Sequence, residues 1–88
     1  MSERETLLEL PGEYTFKIFG RQSPTFVERV SAILTRTFGV LPPDAVSVRA
    51  SSAQRYVSVS IVVWVDDRRQ LEEAYAELKA EPEVLLYI

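Results

Sequence analysis

Ala45-Val-Ser-Val-Arg-Ala-Ser51 and Tyr56-Val-Ser-Val-Ser-Ile-Val-Val-Trp-Val65 place apolar and small polar residues alternately on either side of a short break. A two-residue period is the signature of half-buried strands, so the stretch predicts a β-hairpin with a loop over Ser52 to Arg55. The register can be worked out from the residues. With that loop, Ser51 faces Tyr56, Arg49 faces Ser58 and Ser47 faces Ser60. Ala50, Val48 and Val46 then face Val57, Val59 and Ile61. Every apolar pair lands on one side and every polar pair on the other, and a slip of one residue would mix them. This assigns Val46, Val48, Val57, Val59 and Ile61 to the core. Ser47, Arg49, Ser58 and Ser60 are left as the exposed set.

The rest of the chain supplies two helices and two more strands. Tyr14 to Phe19 alternates as a strand that Gly20 ends. Ser23-Pro24 reads as a helix start, with serine as N-cap and proline at the first helical position. Phe26, Val30, Ile33, Leu34 and Phe38 follow at helical spacing, and Gly39 is the stop. Pro42-Pro43-Asp44 is a stiff connector into the hairpin. Asp67 with Gln70 has capping-box spacing, and Leu71, Ala74, Tyr75 and Leu78 form the stripe of a second helix. Pro82 ends it, and Val84 to Ile88 is the last strand. The order β-α-β-β-α-β with right-handed crossovers predicts an α+β, ferredoxin-like sandwich. Its four-stranded antiparallel sheet has order 4-1-3-2, with both helices on one face. Residues 1–12, with Leu7, Leu8 and Leu10, read as an N-terminal leader, and 13–88 as a single domain.

Eighty-eight residues, 47% of them hydrophobic, suffice for one small core. There is no cysteine, which fits a reducing compartment, and a cytoplasmic protein is expected. Glu3, Arg4, Glu5 and Glu9 are unlike a signal peptide. The apolar run Ile61 to Val65 is far shorter than the ~20 residues of a membrane helix, so no membrane association is expected. The net charge of −3 and pI of about 4.9 argue against a nucleic-acid partner. Histidine is absent as well. That removes the usual zinc and copper ligands, the commonest neutral-pH base and the Ser–His and Cys–His nucleophile pairs. Asp66 and Asp67 read as helix-capping residues, and there is no phosphate-binding glycine loop. Neither an enzyme nor a cofactor or metal is expected.

Two surfaces remain as candidates. The open sheet face carries Thr15, Lys17 and Phe19 from the first strand and Ser47, Arg49 and Ser51 from the second. The third adds Tyr56, Ser58, Ser60, Val62 and Trp64. Serines leave a shallow trough between Lys17 and Arg49. Lys17, Phe19, Ser47, Arg49, Ser58, Ser60 and Trp64 therefore form the candidate face for a small anionic ligand or a protein partner, a homodimer included. A plain solvated face is the alternative. A base-stacking platform like that of RNA-recognition motifs is a further one, but Arg55 to Ile61 lacks their glycine and two of their aromatics. The second candidate is the corner formed by Gly20, Arg21 and Ser23, where a ligand would approach a helix N-terminus. The bland reading of Gly20 is a turn glycine.

Pro11-Gly-Glu-Tyr-Thr-Phe-Lys-Ile-Phe-Gly20 resembles the opening of the YbeD-like family of small bacterial proteins. Arg49-Ala-Ser-Ser-Ala-Gln-Arg-Tyr-Val-Ser-Val-Ser-Ile61 and the spacing Leu71-x-x-x-Tyr75-x-x-Leu78 resemble it too. Phe38 to Pro43 carries no family pattern. The resemblance implies a ferredoxin-like fold similar to ACT domains, which often bind amino acids at a subunit interface near the first strand–helix turn. It also implies a regulatory role linked to lipoate, and it brings no catalytic residues.

Overall fold

The computed structural model describes residues 9–51, 53 and 55–88. Among these residues four strands and two helices follow in the expected order: β1 (Gly12–Arg21), α1 (Phe26–Phe38), β2 (Val46–Ala50), β3 (Tyr56–Val65), α2 (Arg68–Ala80) and β4 (Val84–Tyr87). A single 3-10 turn, Pro43–Ala45, leads into β2 where the stiff connector was expected. The sheet order is β2-β3-β1-β4, with every pair antiparallel. This is the ferredoxin-like arrangement, with the two longest strands, β1 and β3, in the centre, where every second residue is buried.

The hairpin register matches the one worked out from alternation. Ser47 pairs with Ser60, Arg49 with Ser58, and Val46, Val48 and Ala50 with Ile61, Val59 and Val57. The Ser51 N–H donates to the Tyr56 carbonyl at 2.9 Å and closes the hairpin. The loop assigned to Ser52–Arg55 lies partly outside the described residues, as do Leu7 and Leu8 of the leader. Leu10 packs against the core.

Helix boundaries follow their capping chemistry. The Asp67 carboxylate accepts the Arg69 N–H at 2.7 Å, and Gln70 reaches back to the Asp67 N–H, completing the expected capping box. Gly39 sits at φ +86°, a conformation open to glycine, and its N–H returns to the Thr35 carbonyl. At the other end of α1 the helix begins at Phe26, two residues later than proline at the first position would set it. Ser23 nevertheless acts as a cap for the entering turn: its Oγ accepts the Thr25 N–H at 3.2 Å. The first strand is longer than the alternation suggested. It opens at Gly12 and continues through Gly20 to Arg21, because both residues still pair with β3.

Phe16, Ile18, Val59, Ile61 and Val65 from the sheet meet Phe26, Val30 and Leu34 of α1 and Ala74 and Leu78 of α2, all fully buried. An aromatic cluster closes one end. Phe16 lies 5.0 Å from both Tyr14 and Tyr75 and 5.9 Å from Phe38, and the Tyr14 and Tyr75 hydroxyls hydrogen-bond.

Two residues assigned to the core are not in it. Val48 is 53% exposed and Val46 only half-buried. Their faces are as expected, but α1 packs over β1 and β3 and α2 over β3 and β4, so the edge strand β2 lacks a lid. Alternation reports which side a residue faces, not whether anything covers that side. The difference is measurable. Val59→Ala is expected to cost roughly 2 kcal/mol through lost burial and a cavity. Val48→Ala should stay within about 0.5 kcal/mol in the monomer. Urea unfolding of the two variants at low concentration compares them.

Candidate functional site: the open sheet face

The face away from the helices is built in rows by the strand register. Ser47, Ser60 and Lys17 lie side by side across β2, β3 and β1, and the backbone of Lys17 exchanges two hydrogen bonds with Ile88. The next row is Arg49, Ser58, Phe19 and Leu86, and beyond it Tyr56 faces Arg21. In the other direction come Val62 beside Thr15 and then Trp64 beside Glu13.

The two serine rows form a shallow trough of about 570 Å³, lined by Lys17, Phe19, Ser47, Arg49, Ser58 and Ser60, with Val48 at its outer lip. It contains six of the seven residues singled out on this face. Short serine side chains lower its floor, while Lys17 and Arg49 stand on either side. A second recess, lined by Phe19, Arg49, Ser51, Tyr56 and Ser58, continues it past Arg49.

The electrostatics of the face are asymmetric. Arg29 and Arg36 are paired with glutamates. Lys17, Arg21, Arg49 and Arg55 have no ion pair with any described residue. Lys17, Arg21 and Arg49 thus stand on the open face of an acidic chain with no carboxylate paired to them among the described residues. Such a set presents charge-assisted donors to a carboxylate or phosphate.

Trp64, the seventh residue, lies outside this group. Its indole N–H donates to Asp66 Oδ1 at 3.2 Å, and it lines a separate recess with Glu13, Val40, Leu41, Asp44 and Val62. That end carries carboxylates where the trough carries cations.

The corner of Gly20, Arg21 and Ser23 is arranged differently from a free helix N-terminus. Ser23 Oγ donates to Glu83 Oε1 at 2.9 Å, Thr25 Oγ1 donates to Glu83 Oε2 at 3.3 Å, and Arg29 Nε lies 2.5 Å from Glu83 Oε2. The polar groups there already serve a carboxylate. Gly20 is buried under Phe26 and the Glu83 carbonyl. Arg21 instead belongs to the open face, because β1 continues through it.

Arg21, Leu86 and Ile88 join the face beyond the residues read from the sequence. Leu86 and Ile88 are about half exposed. Val84-Leu-Leu-Tyr-Ile88 has no polar residue to mark its faces, so only the pairing with β1 places them. Among the described residues, no cluster of three or more acidic, histidine or cysteine side chains forms a metal site. No helix there is long and apolar enough to cross a membrane.

Residues 5–88 match the profile of a family described as protein of unknown function, DUF493. The chain belongs to this family. It is 32% identical over 84 residues to a UPF0250 protein of Leptothrix cholodnii, covering 96% of this chain and 92% of the relative. It is 39% identical over 75 residues to one from Shewanella piezotolerans, covering 84% and 82%. A third, from Vesicomyosocius okutanii, is 35% identical over 78 residues, covering 89% and 85%. The YbeD-like resemblance is consistent with this membership, which extends through the hairpin and across the open face.

Proposed function

We propose that this protein is a regulatory, non-enzymatic cytoplasmic domain whose open sheet face receives a small anionic metabolite in the serine trough. The observation that carries this reading is the pair Lys17 and Arg49, both without an ion pair among the described residues, flanking Ser47, Ser58 and Ser60. Cations without internal partners pay little to exchange water for a ligand carboxylate or phosphate. Serine hydroxyls beside them donate or accept as the ligand requires. The ferredoxin-like fold, shared with ACT regulatory domains, supports a regulatory rather than a catalytic role, by analogy of architecture.

Charge-assisted hydrogen bonds contribute about 1.5–3 kcal/mol each. Removing either cation should therefore weaken binding roughly ten- to a hundredfold. Native mass spectrometry of the protein purified gently from cell extract tests this. The expected result is a bound anionic mass on the wild-type chain that is lost from Lys17→Met and Arg49→Met. Wild type and variants carrying the same adducts would contradict the reading.

A further inference from the structure

Among the described residues, no strand pairs with the outer edge of β2, whose backbone groups are self-complementary. Since the Ser51 N–H bonds to Tyr56, antiparallel alternation turns the backbone groups of Ser47, Arg49 and Ser51 toward β3. Those of Val46, Val48 and Ala50 turn outward. The Val46 N–H is already taken by the Pro43 carbonyl. The N–H groups of Val48 and Ala50 and the carbonyls of all three residues remain. Natural edge strands are usually blunted by shortness, a charged side chain, proline, a bulge, an inward-pointing charge or a covering element. The five residues 46–50 carry one charge, Arg49, but no proline, bulge or inward-pointing charge and, among the described residues, no covering element, and the Val48 side chain is 53% exposed beside the edge. The opposite edge does differ, because β4 is only four residues long and its pairing with β1 is bulged.

We propose that a second copy of this chain pairs its β2 antiparallel with this edge, Val48 facing the partner's Val48 across a two-fold axis. The choice of a second copy rests on the register. With the two Val48 residues opposed, each Val48 N–H donates to the partner's Val48 carbonyl. Each Ala50 N–H donates to the partner's Val46 carbonyl. That makes four bonds, and none needs the occupied Val46 N–H. Arg49 then faces the partner's Ser47, and the half-buried Val46 faces the partner's Ala50. Sliding the strands so that Val48 faces the partner's Ala50 also permits four bonds, but it sets Arg49 directly against the partner's Arg49. Like charges in that position are destabilising. Sliding the other way sets Val46 against the partner's Val48 and leaves two strand bonds, because both Val46 donors are engaged. One register alone keeps four bonds without opposing cations, and it also covers Val48. The product is an eight-stranded sheet with both serine troughs on one continuous face. The interface is small beside the ~1,200–2,000 Å² of a stable complex, so the dissociation constant is expected on the order of 100 µM.

Sedimentation equilibrium between 20 µM and 1 mM, with proline and cysteine variants, tests the proposal. The wild-type chain should pass from monomer to dimer across this range. Val48→Pro and Ala50→Pro each delete an outward N–H and leave the bonds to β3 intact. Both should keep the wild-type circular dichroism spectrum and weaken association at least tenfold. The chain has no cysteine, so Val48→Cys introduces one thiol per copy. A facing pair has Cα atoms about 5.5 Å apart, inside the ~4.4–6.8 Å disulfide range. Mild oxidation should link Val48→Cys into covalent dimers and leave Lys79→Cys, on the exposed side of α2, monomeric. Wild-type protein that remains monomeric at 1 mM would overturn the proposal. So would folded proline variants that dimerise as wild type does, or equal cross-linking of the two cysteine variants.

Discussion

Gly20→Val leaves the chain largely unfolded in buffer, and Gly20→Ala lowers its stability by about 3 kcal/mol or more. A Cβ at this position would stand 2.2 Å from the Phe26 ring and 2.6 Å from the Glu83 carbonyl oxygen. Neither neighbour can yield easily. Phe26 is fully buried at the start of α1, and Glu83 immediately precedes the bulged pairing of β4 with β1. The Glu83 side chain is also held by Ser23, Thr25 and Arg29. Valine adds two methyl groups to the overlap. Because domains of this kind are stable by only ~5–15 kcal/mol, and small ones sit toward the lower end, the larger substitution exhausts that margin. Circular dichroism and urea titration read both effects. A Gly20→Ala protein as stable as wild type would show that β1, Phe26 and Glu83 do not approach this closely.

Phe16→Ala is expected to cost about 3–5 kcal/mol. The ring is fully buried in central strand β1, against Tyr14, Tyr75 and Phe38. Its loss removes burial and leaves a cavity, and it also breaks edge and tilted ring contacts worth about 0.5–1.5 kcal/mol beyond area. In a domain of this size the melting temperature should fall by roughly 12–40 °C. Thermal unfolding followed by far-ultraviolet circular dichroism measures it. A fall of only a few degrees would mean that the aromatic cluster is a loose end cap rather than part of the core.

How much of this was legible before the structure depended on whether local residues carried the signal. The β2–β3 register followed from serines and valines that mark opposite faces, and the capping box followed from Asp67 and Gln70. Because the trough is made by that register and by β1, Lys17, Phe19, Ser47, Arg49, Ser58 and Ser60 came together as expected. Burial was less readable. Val48 stands between two polar residues, Ser47 and Arg49, as the core valine Val59 stands between two serines, and only the placement of two helices over β1, β3 and β4 leaves it uncovered. Gly20 looked like a strand terminator because glycine is common at turns. It is needed for a close approach of Phe26 and Glu83, residues distant from it in one case by most of the chain. Trp64 shares the open face with the trough but lies with the carboxylates of Glu13 and Asp66. Alternation assigns a face and says nothing about position along it until the partners are paired. Leu86 and Ile88 were hidden for the opposite reason, since an all-apolar strand has no face marking.

The reading of the serine trough as an anion site is tested most directly by nitrogen–proton correlation spectra of the labelled protein. The titrants would be a panel of carboxylated and phosphorylated metabolites, added at constant protein concentration and fixed ionic strength. At least one should move the amides of Lys17, Phe19, Ser47, Arg49, Ser58 and Ser60 together and saturably, leave the Trp64 indole signal in place, and lose its effect in Arg49→Met. A panel that leaves those amides unmoved, or moves them equally in wild type and Arg49→Met, would contradict it.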